Sequence, residues 1–389
     1  MPACLNIFPE VPITEEWSYL TDILTTHNGT ESRISLRGDP RVKVSADFAV
    51  VTQEERRELT SYLMTVLDTP GINPIWPYAA RITQETSSGA SRVYFGPATV
   101  QLSDGAPLVL INPTTRACEV MYTTTINSDG ANLATNTVND IDTSWFAVKG
   151  MNTLVDNGSG FGWRQITGGM EANFESWVQT PIIRADNAES LTTLDGLPIL
   201  ERTALSGGTE GFEFVREVVD YDVGVKDIST RHSHAQIKGR RTFKVDRIRD
   251  ATDFDYWAVF FDTIRGSWKP FLISTQLKDM TLASTLVANG TTMSIDQADA
   301  DTLFHAFSMG SHFEILYSDG TKSRHTISGS TGSGPVTVTF SPNLPNDAKV
   351  TSVARISYLL KARASDRIVW THDHTESKVS FEIRTTDEG

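Results

Sequence analysis

The sequence predicts a mainly β protein with a few helices, arranged as two tandem modules that each carry one packed helix and an inserted β subdomain. Three observations lead there. Thr, Ser, Val and Ile are plentiful while helix-period patterns are few. A strand–helix–strand grammar occurs twice, over Thr21–Tyr78 and again over Val223–Thr275. The 389 residues leave room for two domains. The expected layout is a first module over 1–180 with an insertion at about 85–140, a linker over 181–212, and a second module over 213–389 with an insertion at about 284–350.

Residues 1–20 read as an arm with apolar anchors Phe8, Trp17, Tyr19 and Leu20, lying across a neighbouring element or subunit or on its own domain. After the Gly38-Asp39-Pro40 turn, Val42, Val44, Ala46, Phe48 and Val50 alternate with mostly polar residues, the period of a strand with one buried face. Thr52 with Glu55 three residues on forms a capping box, in which each residue satisfies a backbone donor at the helix start. Leu59, Tyr62, Leu63, Val66 and Leu67 then mark one helix face. Val93–Phe95, Val100–Leu102, Leu108–Leu110, Cys118–Thr125 and Trp145–Val148 are strand candidates; 126–140 reads as a polar loop, and Met170–Val178 closes the module. In the second copy, Phe243 and Val245 open a strand, and Thr252 or Asp253 caps a helix carrying Phe254, Trp257, Ala258, Phe261 and Ile264. Arg265-Gly266 stops that helix. Phe313–Leu316 and Val336–Phe340 form hairpins in the insertion, and Val379, Phe381 and Ile383 alternate in a closing strand.

The net charge of −14 is uneven: residues 1–200 hold 12 Lys and Arg against 23 Asp and Glu, leaving 22 against 25 in the rest. So acidic a first half argues against gripping nucleic acid through its phosphates. Two cysteines, Cys4 and Cys118, are too few for a disulfide framework or a thiolate metal site. No signal peptide and no apolar run of membrane-spanning length is read, so the expected place of synthesis is a cytoplasm.

No catalytic constellation stands out, and neither enzymatic activity nor a cofactor is expected. His232/His234 and His372/His374 each place two imidazoles on one strand face, a spacing known from metal sites, but no third ligand is identifiable and solvated loops are the plainer reading. There is no Gly-x-Ser-x-Gly elbow. The Gly158-Ser-Gly160-Phe-Gly162 run lacks the Lys and following helix of a phosphate loop. Trp257, Phe260 and Phe261 read as core, not as a sugar platform. Basic residues precede the first strand of each copy: Arg33, Arg37 and Arg41, then Arg231, Lys238, Arg240 and Arg241. Arg so placed can form bidentate pairs with a neighbour's carboxylates, which makes these seven the candidate subunit contacts.

The stretch TDILTTHNGTESRISLRGDPR resembles the opening of distal-tail-type phage tail proteins, including those of gene transfer agents; IRGSWKPFLISTQLKDM and VARISYLLKARASDRIVWTHDHTESKVSFEIR are similar to that family as well. The resemblance covers most of 10–80 and 212–385. It implies tail-tube-like β-sandwich or barrel modules in a non-enzymatic ring at the virion's tail tip. The implied partners are further copies of the chain, as a trimer of pseudo-sixfold symmetry or a hexamer, the tail tube protein, and baseplate hub or fibre proteins. DNA would pass through the lumen unbound. An alternative expectation is a carbohydrate-binding adhesion module that takes host surface glycan through the insertions.

Overall fold

The computed structural model describes residues 7–25, 31–66, 71–96, 102, 104–127, 129–155, 162–166, 169–178, 191–205, 209–213, 216–220, 226–230, 236–245, 251–296, 311–332, 335–345, 352–373 and 376–386. Among them the chain is mainly β with two α-helices. The first half runs through β1 (Glu10–Ser18), the hairpin β2 (Thr21–Thr25) and β3 (Glu31–Ser35), β4 (Arg41–Val50), α1 (Gln53–Val66) and β5 (Gly71–Gln84). It continues with β6 (Arg92–Phe95), β7 (Pro107–Ile111), β8 (Cys118–Asn127), β9 (Gly130–Leu133), β10 (Phe146–Val155), β11 (Gly162–Ile166) and β12 (Gly169–Val178). A short hairpin, β13 (Thr193–Leu194) and β14 (Leu197–Leu200), leads on. The second half comprises β15 (Thr209–Glu213), the hairpin β16 (Arg216–Asp220) and β17 (Lys226–Thr230), β18 (Gln236–Val245), α2 (Ala251–Ile264) and β19 (Phe271–Ser274). It ends with β20 (Thr292–Ile295), β21 (His312–Tyr317), β22 (Lys322–Thr331), β23 (Val336–Ser341), β24 (Val353–His372) and β25 (Ser377–Thr385).

One pairing scheme occurs twice. β4 pairs β12 as β18 pairs β25. β10 and β11 pair successive parts of β12 as β24 pairs β25. β10 also pairs β5 and β7, as β24 pairs β19 and β21. The inserted strands run β6–β9–β8–β7 in one half and β20–β23–β22–β21 in the other. β1 pairs β4 as β15 pairs β18. Setting the ten-residue strands β4 and β18 end to end puts Phe48 on Phe243 and Val50 on Val245. The registers then set Phe174 on Phe381 and Trp163 on Trp370. They also set Thr14-Glu15-Glu16-Trp17 on Thr209-Glu210-Gly211-Phe212. Residue types thus recur where the backbone pairing recurs.

The capping box forms: the Glu55 amide donates to Thr52 Oγ1 at 3.1 Å, and the Thr52 amide donates to Glu55 Oε2 at 2.8 Å. α1 buries Leu59, Tyr62 and Val66. α2 begins at Ala251, so Thr252 and Asp253 lie inside its first turn and do not precede it; Asp253 pairs with Arg202 at 2.8 Å. Arg265 and Gly266 do end α2, both at positive φ. Each inserted unit has its own apolar cluster, around Val93, Leu108 and Met121 in one and Phe313, Ile315 and Phe340 in the other.

Two expectations about element placement change. The loop read over 126–140 contains β9, which pairs β6 and β8. Gly130 there has φ +157, and a Cβ at that position would overlap the Val93 carbonyl, so the strand needs the residue that made it look like a loop. Part of the expected linker is packed structure: β14 pairs parallel with β19, and Ile199 and Leu200 are buried. Cys118 is disulfide-bonded, and Cys4, the chain's other cysteine, lies outside the described residues. Among the described residues no helix is long and apolar enough to cross a membrane. Of the Val100–Leu102 candidate only Leu102 is described, and it is not in a strand.

Candidate functional site

The place where the halves meet is built around β1. It pairs β4 of its own half along one edge and the end of β24, from the other half, along the opposite edge, with Ile13 opposite His372 and Ser18 opposite Arg367. The expected arm is therefore an interior strand. Its alternation turns Ile13, Glu15 and Trp17 inward. Trp17 enters the largest apolar cluster, with its ring 5.6 Å from Trp370 and 6.2 Å from Phe261.

Glu15 shares that buried face and is fully partnered. Trp17 Nε1 donates to Glu15 Oε1 at 2.7 Å. His372 Nε2 lies 3.3 Å from Glu15 Oε2, and His372 Nδ1 lies 2.8 Å from Ser377 Oγ. Burial pushes the Glu15 carboxyl up, but the His372 bond and charge, the Trp17 bond and the Lys149 charge outweigh it and the net shift is downward. Burial pulls the Lys149 ammonium down to about 8, against the opposing pull of Glu15. A Ser, a His and a Glu in contact could be read as a nucleophile with its base. Here Ser377 is 0% exposed, and His372 and Glu15 are each 1%, so no substrate reaches them. The arrangement fixes which strand lies against which: β1, β10, β24 and β25 each contribute one charged or polar member.

A second knot lies at the irregularity in β24 between Ala364 and Ile368. Asp366 Oδ1 accepts from the Ser267 amide at 2.8 Å and from Ser267 Oγ at 2.7 Å, while its Oδ2 accepts from the Thr21 amide at 2.9 Å. The Asp366 carbonyl accepts from the Tyr19 amide at 2.8 Å. Gly266, at φ +66, allows this approach: a Cβ would stand 2.6 Å from Asp366 Oδ1.

The basic candidates divide. The Arg33 side chain is buried and pairs with Glu31 at 3.0 Å; Glu31 also meets Arg363 of β24 at 3.3 Å. Arg37 Nη1 donates to the Ser18 carbonyl at 3.1 Å. Both thus make contacts within the chain, Arg33 beside the Glu31 that meets β24 of the other half and Arg37 on β1 of its own half. Arg41 is exposed at the start of β4. Lys238, Arg240 and Arg241 were expected before their strand; they lie within β18, whose polar first part is held by pairing with β15 and β25. Lys238 pairs with Glu382 at 3.3 Å, Arg240 Nε donates to Ser380 Oγ at 3.0 Å, and Arg241 is half-buried. Arg231, His232, His234 and His374 lie outside the described residues. His372 is engaged at both ring nitrogens, and among the described residues no group of three or more His, Cys, Asp or Glu is placed to hold a metal ion. The Glu15–His372 contact joins residues 357 positions apart and had no local sequence signal.

No known family model matches the chain, and no curated protein matches it.

Proposed function

We propose that the chain is a structural component of a bacteriophage tail tip, forming a ring around the DNA channel that joins the tail tube to the baseplate hub or fibres. The observation that carries this reading is the junction at β1, where two halves of one pairing scheme join edge to edge through a shared strand. A chain holding two like units in series is suited to a ring, because three copies supply six similar positions. A sixfold tube could then be met by a threefold tip. The sequence resemblance to distal-tail-type proteins supports the same reading. So does the buried polar knot at the junction, which fixes how the two halves meet and presents no open chemistry. The acidic balance of the first half suits a wall along which DNA phosphates slide without sticking.

Electron microscopy of the purified chain, with native mass measurement, tests the proposal. The expected result is a closed annulus of three copies with a central channel. Six copies in strict sixfold symmetry would remove the trimer but keep the ring; a protein that stays monomeric alone and with tail tube protein would remove the ring.

A further inference from the structure

The internal junction has two unfilled counterparts. In the first half, β1 has β4 on one edge and β24 on the other. Its counterpart β15 has β18 on one edge, and among the described residues nothing pairs the other. In the second half, the end of β24 has β25 on one edge and β1 on the other. Its counterpart β11 has β12 on one edge, and among the described residues again nothing pairs the other. The open edge of β15 matches the edge by which β1 holds β24, and the open edge of β11 matches the edge by which β24 holds β1. Among the described residues neither counterpart pairs the other within one chain.

We propose that β15 of one copy of this chain pairs antiparallel with β11 of a second copy, reproducing between molecules the β1–β24 junction seen within one. The register follows from the internal one. Thr14 faces Thr371, and Glu15 faces Trp370. The counterparts of these residues place Thr209 opposite Arg164 of the next copy and Glu210 opposite Trp163. The residue types agree with the transfer: Thr209-Glu210-Gly211-Phe212 stands where Thr14-Glu15-Glu16-Trp17 stands, and Trp163 stands where Trp370 stands. The charged lock does not transfer, since Gln165 occupies the His372 position and Met170 the Ser377 position. The bond between copies therefore lacks the imidazole that ties the bond within a copy.

An open strand edge presents unpaired amides and carbonyls and pairs readily with another chain. This contact uses different surfaces on its two sides, so it is heterologous, and repetition gives a closed ring or an open filament according to the rotation per copy. Closure rests on the ring reading above; the pairing itself does not.

The test is a double variant, Thr209→Cys with Arg164→Cys, in the full chain, oxidised and run on a non-reducing gel. The expected result is covalent linkage between copies, ending at one discrete size and absent from either single variant and from the parent. A control, Glu213→Cys with Arg164→Cys, sets the thiols four residues out of register and is expected to cross-link at least ten-fold less. Circular dichroism and melting that match the parent verify that the variants are folded. No linkage between copies in the in-register variant, or equal linkage in the control, overturns the proposal. Rings in images without the in-register cross-link would leave the ring reading standing and remove this interface. An in-register ladder running to open-ended polymer would do the reverse.

Discussion

The two helices occupy matching places in the two halves and are buried differently. α1 buries Leu59, Tyr62 and Val66 and leaves Met64 68% exposed. α2 buries Phe254, Tyr256, Trp257, Phe260, Phe261 and Ile264, one broad face of about 160° at 3.6 residues per turn. The difference lies in what covers them. α2 is roofed by the segment before β15: Leu200 joins its cluster, and Tyr256 Oη accepts from the Glu201 amide at 3.0 Å. α1 has Ile7 from the start of the chain in its smaller cluster. One scaffold therefore carries a narrow buried stripe in one half and a broad aromatic face in the other. The largest apolar cluster joins α2 to the strands that hold the junction and takes in Trp17, Tyr19, Val42 and Ile75 of the first half.

The contrast can be broken most strongly at the helices. Trp257→Ala is expected to cost about 3–5 kcal/mol, while Met64→Ala stays within about 0.5 kcal/mol, both read by denaturant unfolding. Similar losses at the two positions would mean that α1 is covered too. Next come the basic candidates. Arg33→Ala leaves Glu31 with one fewer buried partner and is expected to cost about 3 kcal/mol. Lys238→Ala breaks a partly exposed pair with Glu382 and is expected to cost less than about 1 kcal/mol, by the same measurement.

The junction can be sharpened by pH. The folded Lys149 ammonium titrates near 8, below its ordinary 10.5, so between those values the unfolded chain holds more protons. Stability is therefore expected to rise from pH 8 to pH 10.5, by up to about 1.4 kcal/mol per pH unit. Lys149→Met should flatten that rise in unfolding curves taken across the window. Glu15 works at the other end. Its folded carboxyl is depressed, so its contribution is present above the unfolded value of 4.5 and is lost as pH falls below it. The cap gives a modest effect: Thr52→Ala is expected to lower stability by about 1 kcal/mol, and a double-mutant cycle with Glu55→Ala should show the two coupled.

How much was legible depended on whether the signal was local. The alternation in β25, the Thr52–Glu55 box, Val42, Phe48 and Val50 of β4 and Leu59, Tyr62 and Val66 of α1 are spelled within a few residues of themselves and are buried or paired as expected, whereas Val44, Ala46 and Leu63 are only half-buried and Leu67 lies outside the described residues. β9 was hidden because four residues beginning with Gly130 carry more turn signal than strand signal. β14 was hidden because Gly196 and Pro198 read as punctuation, and its partner β19 lies more than 70 residues on. The basic residues of β18 were placed outside the strand because a paired polar stretch lacks the apolar alternation used to detect one. At the junction, Glu15, Lys149, His372 and Ser377 come from four strands, and only the folded pairing brings them together.

The seating of β1 also sets an order of events. Its partner residues on β24, Arg367 to His372, follow β1 in the chain by more than 300 residues. Until they emerge, the nascent first half shows an unpaired strand edge and lacks the partners that seal Trp17 and Glu15. Many long-range pairings of this kind slow folding. On a crowded message, that waiting edge of one nascent chain can accept the finished β24 of another. The outcome would be chains linked by exchange of their first strands, a swapped form of the same junction.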